Sequence, residues 1–248
     1  MRMIRLFCPN LAMGPVTLSA EESRHAVVSL RIKPGQEVVV FDGTGRQADA
    51  RVLQTSKTAM TVDVGLITAS PPELSKELTL AVAMPRTHRQ GYLIEKCTEL
   101  GVTAVWPVLA ERAVAKPRKD ALQRWTRRAI EAAKQSHRAS VPTIAHPRPL
   151  AEILATGSQF DAVALAHREP PTMALGEFMD DHSQARSILV LVGPEGGWSP
   201  AEIRASADSN ATRVTLAANV LRTETTAVAV CAVVASWCCR PCADKTAL

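Results

Sequence analysis

The sequence predicts an α/β protein in two parts. Residues 1–72 read as a small β-barrel with one helix, and residues 73–248 as a parallel sheet covered by helices. Three observations carry this reading. The first seventy residues hold short β-forming runs at close spacing, separated by Asp-Gly and Gly turns. From about residue 78, continuous apolar runs alternate with helical patterns, as in sheets buried on both faces. Between the two lies "SPPELSKE" (residues 70–77), a polar, proline-rich break.

In the first part, "EVVVFDG", "RQADARVLQTS" and "AMTVDVGLIT" are the strands, with Asp42-Gly43 and Gly45 supplying turn chemistry. Ser19 and Glu22 have capping-box spacing and start the one helix, over "SRHAVVSLRI". In the second part the strands are "LTLAVAM", "TAVWPVL", "DAVALA", "SILVLVG" and "TRVTLA". Helices fall near residues 90–100, 119–136, 150–155 and 200–207, and a last one begins near Thr223.

Composition narrows the class. Hydrophobic residues make up 46% and charged residues 21%, which is globular rather than disordered. Aromatics at 4% argue against a pocket built from stacked rings. The start "MRMIRLFCPN" has no apolar core of a signal peptide, and the longest apolar run, "AVAVCAVVASWCC", is too short for a bilayer span. A cytoplasmic protein with no membrane segment is expected. Its six cysteines are then reduced thiols. "CCRPC" (residues 238–242) lacks the second, spaced pair that zinc requires, so no metal is expected. Residues 73–150 carry fourteen Lys and Arg against seven Asp and Glu, whereas residues 151–248 carry seven against eleven. A basic middle beside an acidic last third suits a polyanion gripped next to a small-molecule site; a solvated basic helix is the plainer alternative.

Two stretches stand apart. "LVGPEGGWSPAEI" (residues 191–203) ends a buried strand in a glycine-rich turn and restarts as a helix at Ser199-Pro200. It has no GxxxxGK[ST], no GxGxxG and no GxSxG, which excludes a P-loop, a dinucleotide fingerprint and a hydrolase elbow. Glycines still allow a backbone to approach a flat ligand closely. "LAANVLRTETT" (residues 216–226) places Arg222, Thr223 and Glu224 at the start of the last helix. Thr223 suits a cap and Glu224 the positive helix end, which leaves Arg222 unexplained by helix chemistry. Its guanidinium can donate two fixed hydrogen bonds to a phosphate or a base carbonyl.

Together these stretches resemble the ribosomal RNA small subunit methyltransferase E family, of the SPOUT class. "HRQGYLIEKCTELGV", "PVLAERAV", "RAIEAAKQSHRASVP" and the N-terminal "RHAVVSLRIKPGQEVVVFDG" follow in that family's order. The resemblance implies a PUA-like RNA-binding β-barrel followed by a methyltransferase domain whose C-terminal chain forms a trefoil knot. It implies S-adenosyl-L-methionine as cofactor, methyl transfer to N3 of a uridine in 16S rRNA, and a homodimer. The two glycine and alanine loops would be the knot loops, with cofactor contacts at Leu165, His167, Val192, Gly193, Pro194, Gly196, Gly197, Leu216, Ala217, Val220 and Leu221. Arg222 and Glu224 would be catalytic, Arg222 by stabilising charge on the uracil carbonyls or by fixing the phosphate, and Glu224 by orienting that arginine or accepting the proton. RNA contacts are expected from Arg5, Arg24 and Arg31 in the barrel, from Arg86, and from Arg124, Arg128 and Arg138 on a basic helix face. The chain departs from the family at Ala217-Ala218-Asn219, where a glycine and often a basic residue are usual. That departure keeps open an RNA-binding assembly factor with weakened methyl transfer, and a SPOUT enzyme acting on another RNA position is the nearer alternative.

Overall fold

A computed structural model describes residues 3–56, 58–114 and 118–240. The fold divides into two compact units. The first holds the residues up to Glu73 together with Ala129–Val141, and the second holds Leu74–Arg128 and the residues from Pro142 onward.

The first unit contains β1 (Arg5–Phe7), β2 (Gly14–Thr17), α1 (Ala20–Arg24, continued by a π-turn over His25–Ser29), β3 (Glu37–Phe41), β4 (Arg46–Thr55), β5 (Met60–Val64) and β6 (Thr68–Ala69). Its strands pair along the path β1-β3-β4-β5-β2, with β6 attached to β4. Only β1 and β3 run parallel. The inward residues of β3, β4 and β5, among them Val38, Val40, Val52, Met60 and Val62, form the core. β1 and β2 are additions to the sequence expectation. Three residues are too few to show alternation, and Pro15 is tolerated because β2 is an edge strand. The expected capping box is half formed. Ser19 Oγ accepts from Glu22 N at 3.2 Å, but the Glu22 carboxylate turns inward instead, to Phe7 N at 3.0 Å and Lys134 Nζ at 2.6 Å. A buried ammonium competes better for that carboxylate than a helix-end amide does.

The second unit contains β7 (Glu77–Ala83), α2 (Thr87–Glu99), β8 (Ala104–Leu109), the first half of α3 (Ala121–Ser136), β9 (Thr143–Ile144), β10 (Arg148–Pro149), α4 (Leu150–Leu154), β11 (Ala162–Ala166), β12 (Met173–Ala174), α5 (Leu175–Asp181), β13 (Ser187–Val192), α6 (Pro200–Asp208), β14 (Thr212–Thr215) and α7 (Thr223–Cys238). Every pairing in its sheet is parallel, in the order β10-β8-β7-β13-β11-β14-β12 with β9 on β8. The run Ile188–Val192 is almost fully buried, which is why it reads as unbroken apolar sequence. Each such side chain stabilises the fold by about 1.5–3 kcal/mol relative to exposure. α5 is the helix the sequence reading misses, although Leu175, Phe178 and Met179 bury one face at helical spacing.

α7 packs against α2, α5, β7 and β13. Hydrogen bonding to Cys231 and then burial push the Cys97 thiol upward, in keeping with cysteines that act as small core groups. Cys242 lies outside the described residues. Among the described residues, no cluster of three His, Cys, Asp or Glu is placed to hold a metal, and no helix is long and apolar enough to cross a membrane.

Candidate active site

In the second unit β11 lies between β13 and β14, so the segments that leave these three strands meet at their carboxyl ends. That is where open parallel sheets bind ligands. The segments enclose a cleft of about 420 Å³, a size suited to a small organic molecule.

Each glycine of the first loop answers a different demand. A Cβ on Gly193 would come within 2.9 Å of the Trp198 ring. That indole is buried, and its Nε1 donates to the Ala166 carbonyl at 3.3 Å, joining the end of β11 to the far side of the glycine turn. Trp198 is therefore a wall of the cleft as well as a packing residue. A Cβ on Gly196 would meet Arg112 Cβ and the Arg112 carbonyl, each at 3.2 Å. Gly197 has φ +69°, a conformation that favours glycine, and its N–H closes the turn on Pro194 O at 2.9 Å. The turn runs into α6 through a full capping box, which the sequence signals as S-x-x-E. Ser199 Oγ accepts from Glu202 N at 3.2 Å, and Glu202 Oε2 accepts from Ser199 N at 2.7 Å.

The second loop lines the opposite side with Leu216, Ala217, Val220 and Leu221. Ala217 and Val220 are exposed. The expectation that Thr223 caps α7 needs correction. Arg222 occupies the N-cap position, and Thr223 is the first helical residue. From there its hydroxyl donates instead to the Gly193 carbonyl at 3.1 Å, which ties the start of α7 to the end of β13.

The cofactor-contact set is gathered by the fold with one exception. Val192, Gly193, Pro194, Gly196, Gly197, His167 and the four second-loop residues all line the cleft. Leu165 does not, because its side chain belongs to the core at 1% exposure. Arg222 is exposed but lies outside the lining. Glu224 is buried and accepts from Arg89 Nη1 at 2.8 Å, while its Oε2 has no partner. The reading in which Glu224 orients Arg222 is thereby corrected. Thr223 and Thr226 face the cleft, and Glu224, about 100° round the helix from Thr223, faces α2. Sequence pattern does not single out Arg89, although it lies within "HRQGYLIEKCTELGV".

The arginines expected to meet RNA separate by burial. Arg24, Arg31 and Arg86 are exposed. Arg128 is exposed and pairs with Glu95 at 3.1 Å, and Arg124 pairs with Asp120 at 2.7 Å. Arg5 and Arg138 leave the set. Both are buried in the first unit, where Arg5 bonds Gln47 and the Arg138 carbonyl and Arg138 bonds Ser140 beside Glu73. Guanidinium groups engaged inside the fold are not offered to phosphate.

Comparison with known proteins places the fold in a family. A family profile described as an RNA methyltransferase domain matches residues 72–235, and one described as an RNA methyltransferase PUA domain matches residues 18–65. Ribosomal RNA small subunit methyltransferase E of Mycobacterium bovis is 34% identical over 85% of this chain and 82% of its own. A structure of the enzyme of that name from Neisseria gonorrhoeae, bound to S-adenosyl methionine, superposes with TM-score 0.85 at 29% identity, covering 95% of this chain and 98% of that one. A Legionella pneumophila protein described as a methyltransferase, in complex with bound cofactor SAM, gives TM-score 0.88 at 26% identity over 96% and 98%.

Proposed function

Because the chain belongs to the ribosomal RNA small subunit methyltransferase E family, we propose that it methylates N3 of a uridine in 16S rRNA, using S-adenosylmethionine. The observation that carries this reading is the convergence of the ends of β11, β13 and β14 on one cleft, closed by the bond from Thr223 to Gly193. The residues present suit the cofactor. The lining combines the buried, apolar Val192 and Val214 with Gly193 and Leu216 and with the charged Arg112, Arg168, Glu169 and Glu195. When bound, the cofactor supplies an electrophilic methyl group on sulfur.

What the chain adds is placement and charge stabilisation. The cleft loops fix the cofactor against the uracil. Transfer of the N3 proton to water leaves negative charge spread over the flanking carbonyl oxygens, and the N3 lone pair then takes the methyl group as its bond to sulfur breaks. Arg222, exposed at the head of α7, donates its paired hydrogen bonds there. Glu224 has a structural part instead, since its tie to Arg89 holds the first turn of α7 against α2. Arg24, Arg31, Arg86, Arg124 and Arg128 are the exposed or half-exposed cations left to meet phosphate.

The same reading takes the first unit as a PUA-like barrel and the C-terminal chain as a trefoil knot. Support for the knot is that β13 and β14 flank β11 while the start of α7 bonds back to Gly193. It also takes the enzyme as cytoplasmic and as a homodimer; for the dimer, the half-buried Val228 and Val233 of α7 are the support. Incubating the purified protein with small-subunit rRNA and labelled cofactor, followed by mass analysis of nucleosides, tests the reaction. N3-methyluridine is expected. A methylated ribose 2′-hydroxyl would replace this reading with the neighbouring SPOUT activity.

A further inference from the structure

The loop after β8 carries an arginine to which this reading gives no part. Arg112 lines the cleft and is exposed. Its Nη1 donates to the carbonyls of Gly196 and Trp198, each at a long 3.4 Å. The fit against Gly196 is close: a Cβ there would sit 3.2 Å from both Arg112 Cβ and the Arg112 carbonyl, tighter than an ordinary contact. Glu202 holds the same loop from the other side, because its Oε1 accepts from Glu111 N at 2.9 Å while its Oε2 caps α6. The arginine is thus latched to the glycine turn by its own backbone neighbour, its Cβ and one edge of its guanidinium.

Its charge is not matched in the same way. Arg89 and Arg128 each have a carboxylate partner, and among the described residues Arg112 has none. Two long bonds to neutral carbonyls occupy one amino group, and the remaining donors of the planar fork keep a fixed direction. Such a group matches an anion that offers two oxygens.

We propose that Arg112 is an anion-binding residue of the cleft, taking either the carboxylate at the cofactor's amino-acid end or a phosphate of the RNA strand. The proposal rests on the cofactor and RNA assignment above. It makes Gly196 a glycine kept for an arginine, not one kept for the cofactor.

The test titrates the wild type, Arg112→Met and Arg112→Lys with S-adenosylmethionine, with its decarboxylated analogue, and with a small-subunit rRNA fragment over a salt series. If the carboxylate is the ligand, Arg112→Met weakens S-adenosylmethionine roughly tenfold or more and leaves the decarboxylated analogue unchanged. If phosphate is the ligand, cofactor binding holds while RNA affinity falls and its salt slope drops by about one. Arg112→Lys, which keeps the charge without the fork, recovers part of either loss and guards against misfolding of the methionine variant. Wild-type affinity of Arg112→Met for all three ligands overturns the proposal. A wild type that binds neither cofactor nor RNA removes the parent assignment, and that outcome is separately visible.

Discussion

The two loops that face each other across the cleft are built on opposite principles. The glycine turn is locked from within. Gly193 is pressed by Trp198, Gly196 by Arg112, and Gly197 is held at positive φ, while Glu202 and Ser199 close the helix that follows. The second loop has little of this. Among the described residues its backbone from 216 to 221 takes part in one hydrogen bond, from Thr215 Oγ1 to Ala217 O at 3.5 Å, and Val220 is 75% exposed. One side of the site is therefore preorganised by the fold, and the other takes its order from Thr223 and from what it binds.

Substitutions in the two loops should separate accordingly. The largest effect is expected from Gly193→Ala, which sets a methyl group against a buried indole. We expect a stability loss of about 2 kcal/mol in denaturant unfolding, with cofactor binding lost by calorimetry. Gly197→Ala meets no neighbour but must hold φ +69°, so a smaller loss of about 1 kcal/mol is expected by the same measurement. If it matched Gly193→Ala, backbone strain rather than packing would govern the turn.

Thr223→Val removes the hydrogen bond that ties the start of α7, where the second loop ends, to the glycine turn. About 1 kcal/mol of stability should go, and cofactor affinity should fall because the second loop loses its anchor. Unchanged affinity would mean that the loop orders itself. Smallest of all is Ala217→Gly. At an exposed position in an irregular loop it should change stability by about 0.5 kcal/mol and cofactor affinity by threefold or less. A much larger gain in affinity would show that the alanine obstructs the site.

The contrast also marks what sequence can show. The buried strands are legible because parallel strands covered on both faces have to be apolar throughout, as Ile188–Val192 are. The glycine turn is legible as a site, but the reason for each glycine is not. Trp198 lies one residue past the turn, and Arg112 some eighty residues before it, and only the folded chain brings them to the same atoms. Glu224 shows the same limit from the other side. Its place at a helix start is written in "RTETT", yet nothing local tells that Arg89, 135 residues earlier, takes its carboxylate. Arg5 and Arg138 look like phosphate ligands by charge, and burial, which sequence does not display, removes them.

The carboxylate of Glu202 leaves a final consequence. Because one of its oxygens holds the Glu111 amide while the other caps α6, that amide hydrogen cannot trade with solvent deuterium until Glu202 lets go. The exchange rate at a single backbone position, remote in sequence from the glycines, becomes a clock for how often the wall of the cleft comes apart.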